Sequence, residues 1–337
     1  MEKPAPFRPA REFVPARGLR NGHLQTLATL WPRRFPGLPE AEPRLVEVES
    51  GTQLRLDCHW QPERSTRPTL ILLHGLEGSS GSQYMVGTAQ KAWRAGFNAI
   101  RMNFRNCGGT EHLTPSLYDA GLSGDLRRVA EHLLEREALP ELHLGGYSMG
   151  GNIVLKLAGE WGAEAPKEIR SVSVVSPSID LALCADALNH PRNRLYQWHF
   201  LRGLKARLRR KARLYPQVYE TDGLARVRTV REFDDAFTAR YCSYGDADNY
   251  YTRASALRCV QDIALPTLIL ATPSDPFVPI ESFRNPSLTG NPNITLLTPR
   301  QGGHAGFIGR RTGGEDRFWA ENRIVEFASR LSSLLSR

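Results

Sequence analysis

Three residues of this chain have types and settings that suit bond-breaking chemistry. The stretch "HLGGYSMGGNIVLKLAG" (143–159) places Ser148 in the pattern Gly146-Tyr147-Ser148-Met149-Gly150, after an apolar run and before helix-like spacing. Glycine costs backbone entropy on both sides of the serine, so stability alone does not select this pattern. A strand that turns abruptly into a helix at a serine is a nucleophile elbow, and flanking side chains would clash in so tight a turn. Such a turn lifts the hydroxyl above the C-terminal edge of the sheet, where open α/β sheets bind ligands. The helix behind it offers unpaired N–H groups to an anion. Taken alone, the pattern equally describes a glycine-rich turn capped by a serine.

A nucleophilic serine needs a base. Behind an elbow of this kind the partners follow in the order acid, then histidine. Of the nine histidines only His304 lies beyond His199. It sits in "TPRQGGHAGF", a glycine-rich loop free to face a cleft. His199 falls in a basic segment, His143 in the strand before the elbow and His132 on an expected helix, settings less suited to a base. For the acid, "LPTLILATPSDPFVP" offers Asp275 directly after an apolar strand, where a carboxylate can fix the imidazole tautomer. The competing reading of Asp275 is a local turn aspartate before proline. Asp246 and Asp248 precede a helix and suit capping. Two backbone donors complete an oxyanion hole: the N–H of Met149 and one from the loop "HGLEGSSGS", assigned to Leu76. His74 in that loop reads as a brace, not as a catalytic group.

The elements that must position these residues alternate along the chain. "LVEVES" and "LRLDCHW" alternate apolar and polar residues across a Gly-Thr turn, the pattern of an antiparallel hairpin. "TLILLHG", "FNAIRMNF", "ELHLGG", "SVSVVSP", "PTLILAT" and "NITLLTP" are further strands. Helices are expected at "QYMVGTAQKAWRAG", ending at Gly96, from about Tyr118 to Arg136, after Ser148, and at "RFWAENRIVEFASRLSSLL". Strand–helix alternation implies a mostly parallel, doubly wound sheet with helices on both faces. The pattern breaks between about Ile179 and Asp248, where helical pieces replace strand signals. A single domain over 1–337 is expected, with a helical cap inserted at 180–248.

Composition narrows the class. The chain has 337 residues and a formal charge of +9. Between Ala187 and Tyr219 stand nine basic residues and no acidic one, so this segment alone equals the net excess. No aromatic platform or nucleic-acid-binding module accompanies it, which argues against nucleic acid. Its Leu195, Trp198, Phe200, Leu201, Leu204, Leu208 and Leu214 suggest an apolar face toward a pocket, with the arginines opposite and able to touch anionic lipid headgroups. The alternative is a plain solvated face. The N-terminus lacks the apolar core of a signal peptide, and the apolar runs are too short to span a bilayer. Five scattered cysteines fit reduced thiols, with no disulfide or zinc framework. A soluble, cytoplasmic protein is expected.

Taken together, "RNGHLQT" (20–26), "HGLEGSSGSQYMVG" (74–87), "NFRNCGG" (103–109), "GYSMGGN" (146–152), "FDDAFTARYCSYGDADNYYTRAS" (233–255), "ATPSDPFVP" (271–279) and "GGHAGF" (302–307) resemble the YheT-like branch of the α/β-hydrolase superfamily. The resemblance implies an α/β-hydrolase fold and a serine carboxylesterase acting on short- or medium-chain acyl esters, without metal or organic cofactor. It maps the triad onto Ser148, Asp275 and His304. It also leaves open a lipase, a monoacylglycerol lipase or an acyl-transferring ester synthase. A binding protein that kept the fold without catalysis is the alternative from another class. Two positions depart from the family pattern: Asn106 stands where glycine is common, and Ser274 where a second acid is common.

Overall fold

The computed structural model describes residues 7–334. The first six residues of the segment searched for a leader, and Leu335 at the expected end of the last helix, lie outside the described residues. Eight strands form one sheet: β1 (Glu42–Glu49), β2 (Thr52–His59), β3 (Thr69–Leu73), β4 (Asn98–Met102), β5 (Leu142–Tyr147), β6 (Ile169–Val175), β7 (Thr267–Leu270) and β8 (Ile294–Leu297), in the order β1-β2-β4-β3-β5-β6-β7-β8. β1 and β2 are antiparallel, as are β2 and β4; every other pairing is parallel.

The apolar runs become strands because both faces are covered. In β3, Ile71 and Leu73 enter one core while Leu70 and Leu72 enter the other, the period-two alternation of a pleated strand. A parallel sheet buried on both faces has no polar side to show. β1 is different: Val46 and Val48 are buried while Leu45 is exposed, so an edge hairpin shows the alternation openly.

The helices are α1 (Gly22–Ala28), α2 (Gln83–Arg94), α3 (Ser123–Glu135), α4 (Met149–Trp161), α5 (Leu181–Asn189), α6 (Arg194–Leu214), α7 (Val230–Phe233), α8 (Ala239–Tyr241), α9 (Ala247–Ala254), α10 (Pro286–Thr289) and α11 (Trp319–Leu331). A π-turn at Asp234–Thr238 joins α7 to α8. Residues of α2 and α11 fill one core; residues of α3 and α4 fill the other. Gly96, at φ 90°, ends α2 as its neighbour Phe97 donates back to Ala92, the left-handed stop that glycine permits.

α3 starts at Ser123, later than the spacing predicts. Asp119 instead accepts the Gly121 amide at 2.7 Å, and the Ala120 amide donates to the Tyr250 hydroxyl at 2.9 Å. A local Asx turn and a distant tyrosine outcompete the helix there. Between β6 and β7 the described chain is helix and loop throughout. Ser148, Asp275, His304 and the loop carrying Leu76 all follow the C-terminal ends of parallel strands: β5, β7, β8 and β3 respectively.

Candidate active site

Ser148 stands between β5 and α4 with φ 54° and ψ −121°, a left-handed conformation that costs an ordinary L-residue free energy. The glycines around it are required by contact. A Cβ on Gly146 would lie 2.5 Å from the Gly150 oxygen, and one on Gly150 would lie 2.4 Å from the His74 oxygen. The elbow therefore packs directly on the end of β3. A Cβ on Gly75 would meet that of Ser148 at 3.1 Å, which sets the loop carrying Leu76 beside Ser148. Among the described residues neither the Leu76 nor the Met149 amide donates to a backbone carbonyl. Met149 opens α4, where the first N–H groups have no partner within the helix.

His304 and Asp275 meet. The imidazole Nδ1 donates to Asp275 Oδ2 at 3.0 Å, and both side chains are buried. Asp275 Oδ1 is held separately by the amides of Phe277 and Val278, at 3.1 and 3.0 Å. The carboxylate is thus oriented by backbone and has one oxygen left for the imidazole. Nδ1 as donor leaves Nε2 as the basic nitrogen. The Phe277 ring lies against the His304 ring at 4.1 Å between centroids. Phe277 and Ser148 line the same cavity of about 90 Å³, with Leu76, Met149, Ser178 and Phe200 among its walls. Ser148 Oγ hydrogen-bonds Ser178 Oγ at 3.5 Å and makes no hydrogen bond to His304. In unliganded sites such bonds are often long and tighten only around substrate.

The competing candidates have other work. His74 donates from Nδ1 to the Gly75 oxygen at 2.8 Å and accepts the Phe104 amide on Nε2 at 3.2 Å. Burial drives its pKa down to about 3, so it stays neutral and braces the loop. His143 is buried against Ser171 and Glu141. Asp246 caps α9 by accepting the Asn249 amide. Cys184 lines the cavity, but burial pushes its thiol pKa far up and withholds the thiolate.

Several residues at the site carry no local signal in the sequence. α1 is turned inside out: Gln25 and Thr26 are buried while Leu24 and Leu27 are about half exposed. Its polar side chains hold the histidine loop. Thr26 Oγ1 accepts the His304 amide at 2.8 Å, and Gln25 Oε1 accepts the Ile308 amide at 2.7 Å. Gly22 permits the approach, since a Cβ there would lie 1.8 Å from the Ser274 oxygen. The Ser176 hydroxyl accepts the Ala305 amide at 3.1 Å. These partners lie far from residue 304 along the chain; "RNGHLQT" stands out only through its resemblance to a family motif.

α6, in the segment expected to form a cap, differs from the expected arrangement. Gln197, Leu201, Leu204, Leu208 and Lys211 form the buried stripe of α6, and Phe200 lines the cavity, but Leu195, Trp198 and Leu214 are exposed. The arginines do not all lie outside. Arg207 Nε donates to Glu77 Oε1 at 3.0 Å, Arg207 also holds the Asn106 oxygen, and both side chains of the ion pair are buried. Tyr118 donates to the same Glu77 oxygen at 2.7 Å. Gly203 makes room, because a Cβ there would meet Glu77 Oε2 at 2.3 Å. Glu77 has φ 56° and Asn106 φ 66°. Asparagine tolerates that region better than most residues, so Asn106 keeps the turn that the family resemblance gives to glycine. Ser274, the other departure, donates to the Arg300 oxygen at 2.8 Å and ties the acid loop to the histidine loop.

Residues 68–310 match the family described as alpha/beta hydrolase fold. "Putative esterase YheT" of Escherichia coli (strain K12) is 32% identical over 326 residues, covering 95% of this chain and 94% of its own. "Phospholipase ABHD3" of Mus musculus is 28% identical over 78% of this chain and 66% of its own length. Among solved structures, the Pyrococcus furiosus esterase Pf2001 superposes with a TM-score of 0.55 at 17% identity, covering 94% of this chain and 99% of the other. The 2,6-dihydroxy-pseudo-oxynicotine hydrolase does so at 0.58 and 17%, covering 90% and 71%. At those identities the superpositions speak for the fold alone.

Proposed function

The chain belongs to the α/β-hydrolase family, and from that premise we propose that it is a serine carboxylic-ester hydrolase working through an acyl-enzyme on Ser148. The observation that carries this reading is the buried His304–Asp275 pair, packed on Phe277 at the wall of the cavity into which the strained Ser148 faces. A histidine fixed in the Nδ1–H tautomer is a base at Nε2 and nothing else.

In the proposed reaction an ester enters the cavity and Ser148 Oγ leaves Ser178 for His304. His304 Nε2 takes the hydroxyl proton as Oγ attacks the carbonyl carbon. The amides of Leu76 and Met149 receive the oxyanion, a contribution of about 10²- to 10³-fold per donor. His304 returns the proton to the departing alcohol. Water, activated by the same nitrogen, then releases the acid and restores Ser148. Asp275 keeps its charge throughout and stabilises the imidazolium.

The cavity of about 90 Å³ supports short acyl groups. It is smaller than the roughly 150 Å³ apolar cavity that admits benzene. In this reading residues 180–248 are a cap inserted in one catalytic domain, and α5, α6 and α7 wall the acyl site. A second reading, hydrolysis of a lipid ester, draws on relatives named "Phospholipase ABHD3" and, in Saccharomyces cerevisiae, "Monoacylglycerol lipase". It needs the same three residues and a cap that opens. No helix among the described residues is long and apolar enough to cross a membrane.

A fluorophosphonate probe tests the nucleophile: the wild type labels and Ser148→Ala does not. An unlabelled wild type would overturn the reading in favour of a binding protein on this fold. Aryl esters from acetyl to palmitoyl test the acyl preference. Turnover should peak at short chains; a peak at palmitoyl transfers the argument to the lipid reading.

A further inference from the structure

The nine bases of the 187–219 segment divide into two sets. Four are engaged with protein. Arg207 pairs with Glu77 and Arg210 with Glu111; Lys211 donates to the Glu111 and Thr114 oxygens, and Lys205 to the Val227 oxygen. The other five, Arg192, Arg194, Arg202, Arg209 and Arg213, are exposed and belong to no ion pair among the described residues. On the α6 spacing, Arg202 and Arg209 share an outward stripe with Leu195 and Trp198, opposite the buried one.

That stripe is costly for a surface meant only for water. Leu195 is 79% exposed and Trp198 59%, at the N-terminal end of the helix. Arg202 lies 5.4 Å from the Trp198 ring centroid. Beside the stripe runs an open groove of about 790 Å³, bordered by Leu195, Trp198, Arg202, Lys205, Arg209 and Arg228. The cations crowd one another. Burial, and then Arg209 and Arg228, push the Lys205 pKa down. Glu232, beyond the segment, opposes this push without cancelling it, and the segment itself has no acidic side chain. A surface that gathers unpaired guanidinium groups around an exposed tryptophan and leucine is complementary to one that is anionic outside and apolar just beneath.

We propose that the outer face of α6, with Arg202, Arg209, Leu195 and Trp198 at its centre, docks this protein onto anionic phospholipid bilayers. The guanidinium groups meet headgroup phosphates, and Trp198 and Leu195 enter the boundary with the acyl chains, as an interfacial amphipathic helix does. Single-signal docking of this kind is reversible and salt-sensitive. It goes beyond the ester-hydrolase reading and does not depend on it.

The experiment is co-sedimentation of the full chain, carrying Ser148→Ala so that hydrolysis plays no part, with vesicles of phosphatidylcholine alone or mixed with phosphatidylglycerol. Binding should occur on the mixed vesicles, weaken with added salt, and be absent on phosphatidylcholine. Each outward arginine should contribute about fivefold in affinity, corresponding to about 1 kcal/mol per cation near an anionic surface. Arg202→Gln with Arg209→Gln should therefore weaken binding by about 25-fold. Trp198→Ala should weaken it too, and Trp198 emission should shift to the blue on binding to wild type. Unchanged circular dichroism and, in the Ser148 background, unchanged fluorophosphonate labelling show that the variants fold. Equal binding to both vesicle types, or to neither, overturns the proposal. So does a sedimenting dimer that buries Trp198, or binding to duplex DNA without binding to mixed vesicles.

Discussion

At the scale of single residues, the site depends on protons and on which oxygen each donor reaches. Asp275 divides its oxygens: one serves two backbone amides, the other serves the imidazole. Asp275→Asn keeps an acceptor for the amides but disturbs the imidazole tautomer. It should lower kcat by about 10³- to 10⁴-fold. Thermal unfolding of the variant should stay close to wild type, which separates lost chemistry from lost fold. Asp275 and His304 were each legible as candidates because their signals are local: an apolar strand before a proline-bounded aspartate, and a late glycine-flanked histidine; their contact was not. Thr26 and Ser176 were not legible. Each is a small hydroxyl residue whose function is a single bond to a backbone amide that folding brings near.

At the scale of elements, α1 and α6 act on the site from outside the sheet. Gly22 lets α1 lie on the acid and histidine loops at once. Gly22→Ala places a carbon 1.8 Å from the Ser274 oxygen, so α1 must retreat and carry the Thr26 bond away from His304. On the proposed ester-hydrolase reading, turnover should fall by about 10²-fold, the cost of displacing catalytic groups by about an ångström. The Arg207–Glu77 pair joins α6 to the loop that carries Leu76. Arg207→Met leaves Glu77 buried without its cation and should destabilise the fold by about 3–5 kcal/mol, as measured by urea unfolding. The double variant Arg207→Met with Glu77→Gln removes both charges and should recover part of that loss. Full additivity in this double-mutant cycle would show that the pair does not couple α6 and the loop. Helix periodicity in α6 showed a two-faced helix but not the register, so three of its large apolar residues lie outside and two of its cations within.

At the scale of the whole molecule, burial of charge sets a pH dependence. Asp234, in the π-turn at the cavity wall, accepts the Tyr251 and Thr238 hydroxyls, each at 2.8 Å. Burial raises its pKa to about 6. An unfolded aspartate titrates near 3.9, so between these values the folded chain binds more protons than the unfolded one. This group therefore favours the folded state least above about pH 6, and its contribution improves as pH falls toward 4. Asp234→Asn removes the dependence. Relative to wild type, its unfolding free energy should rise by about 1 kcal/mol between pH 5 and pH 7.5. A constant difference across that range would place the charge elsewhere.

The sequence by itself determined the order of the elements, the mostly parallel sheet with its antiparallel edge hairpin, and the elbow at Ser148. Those features follow from hydrophobic period, glycine placement and turn chemistry, all carried by neighbours in the chain. Only the tertiary structure decided that His304 donates to Asp275, that Ser148 rests on Ser178, that α1 faces its polar side inward, and that the basic run is half structural and half surface. These depend on contacts between residues tens to hundreds of positions apart. No local pattern encodes such contacts, because the free energy that selects them comes from packing the whole chain at once.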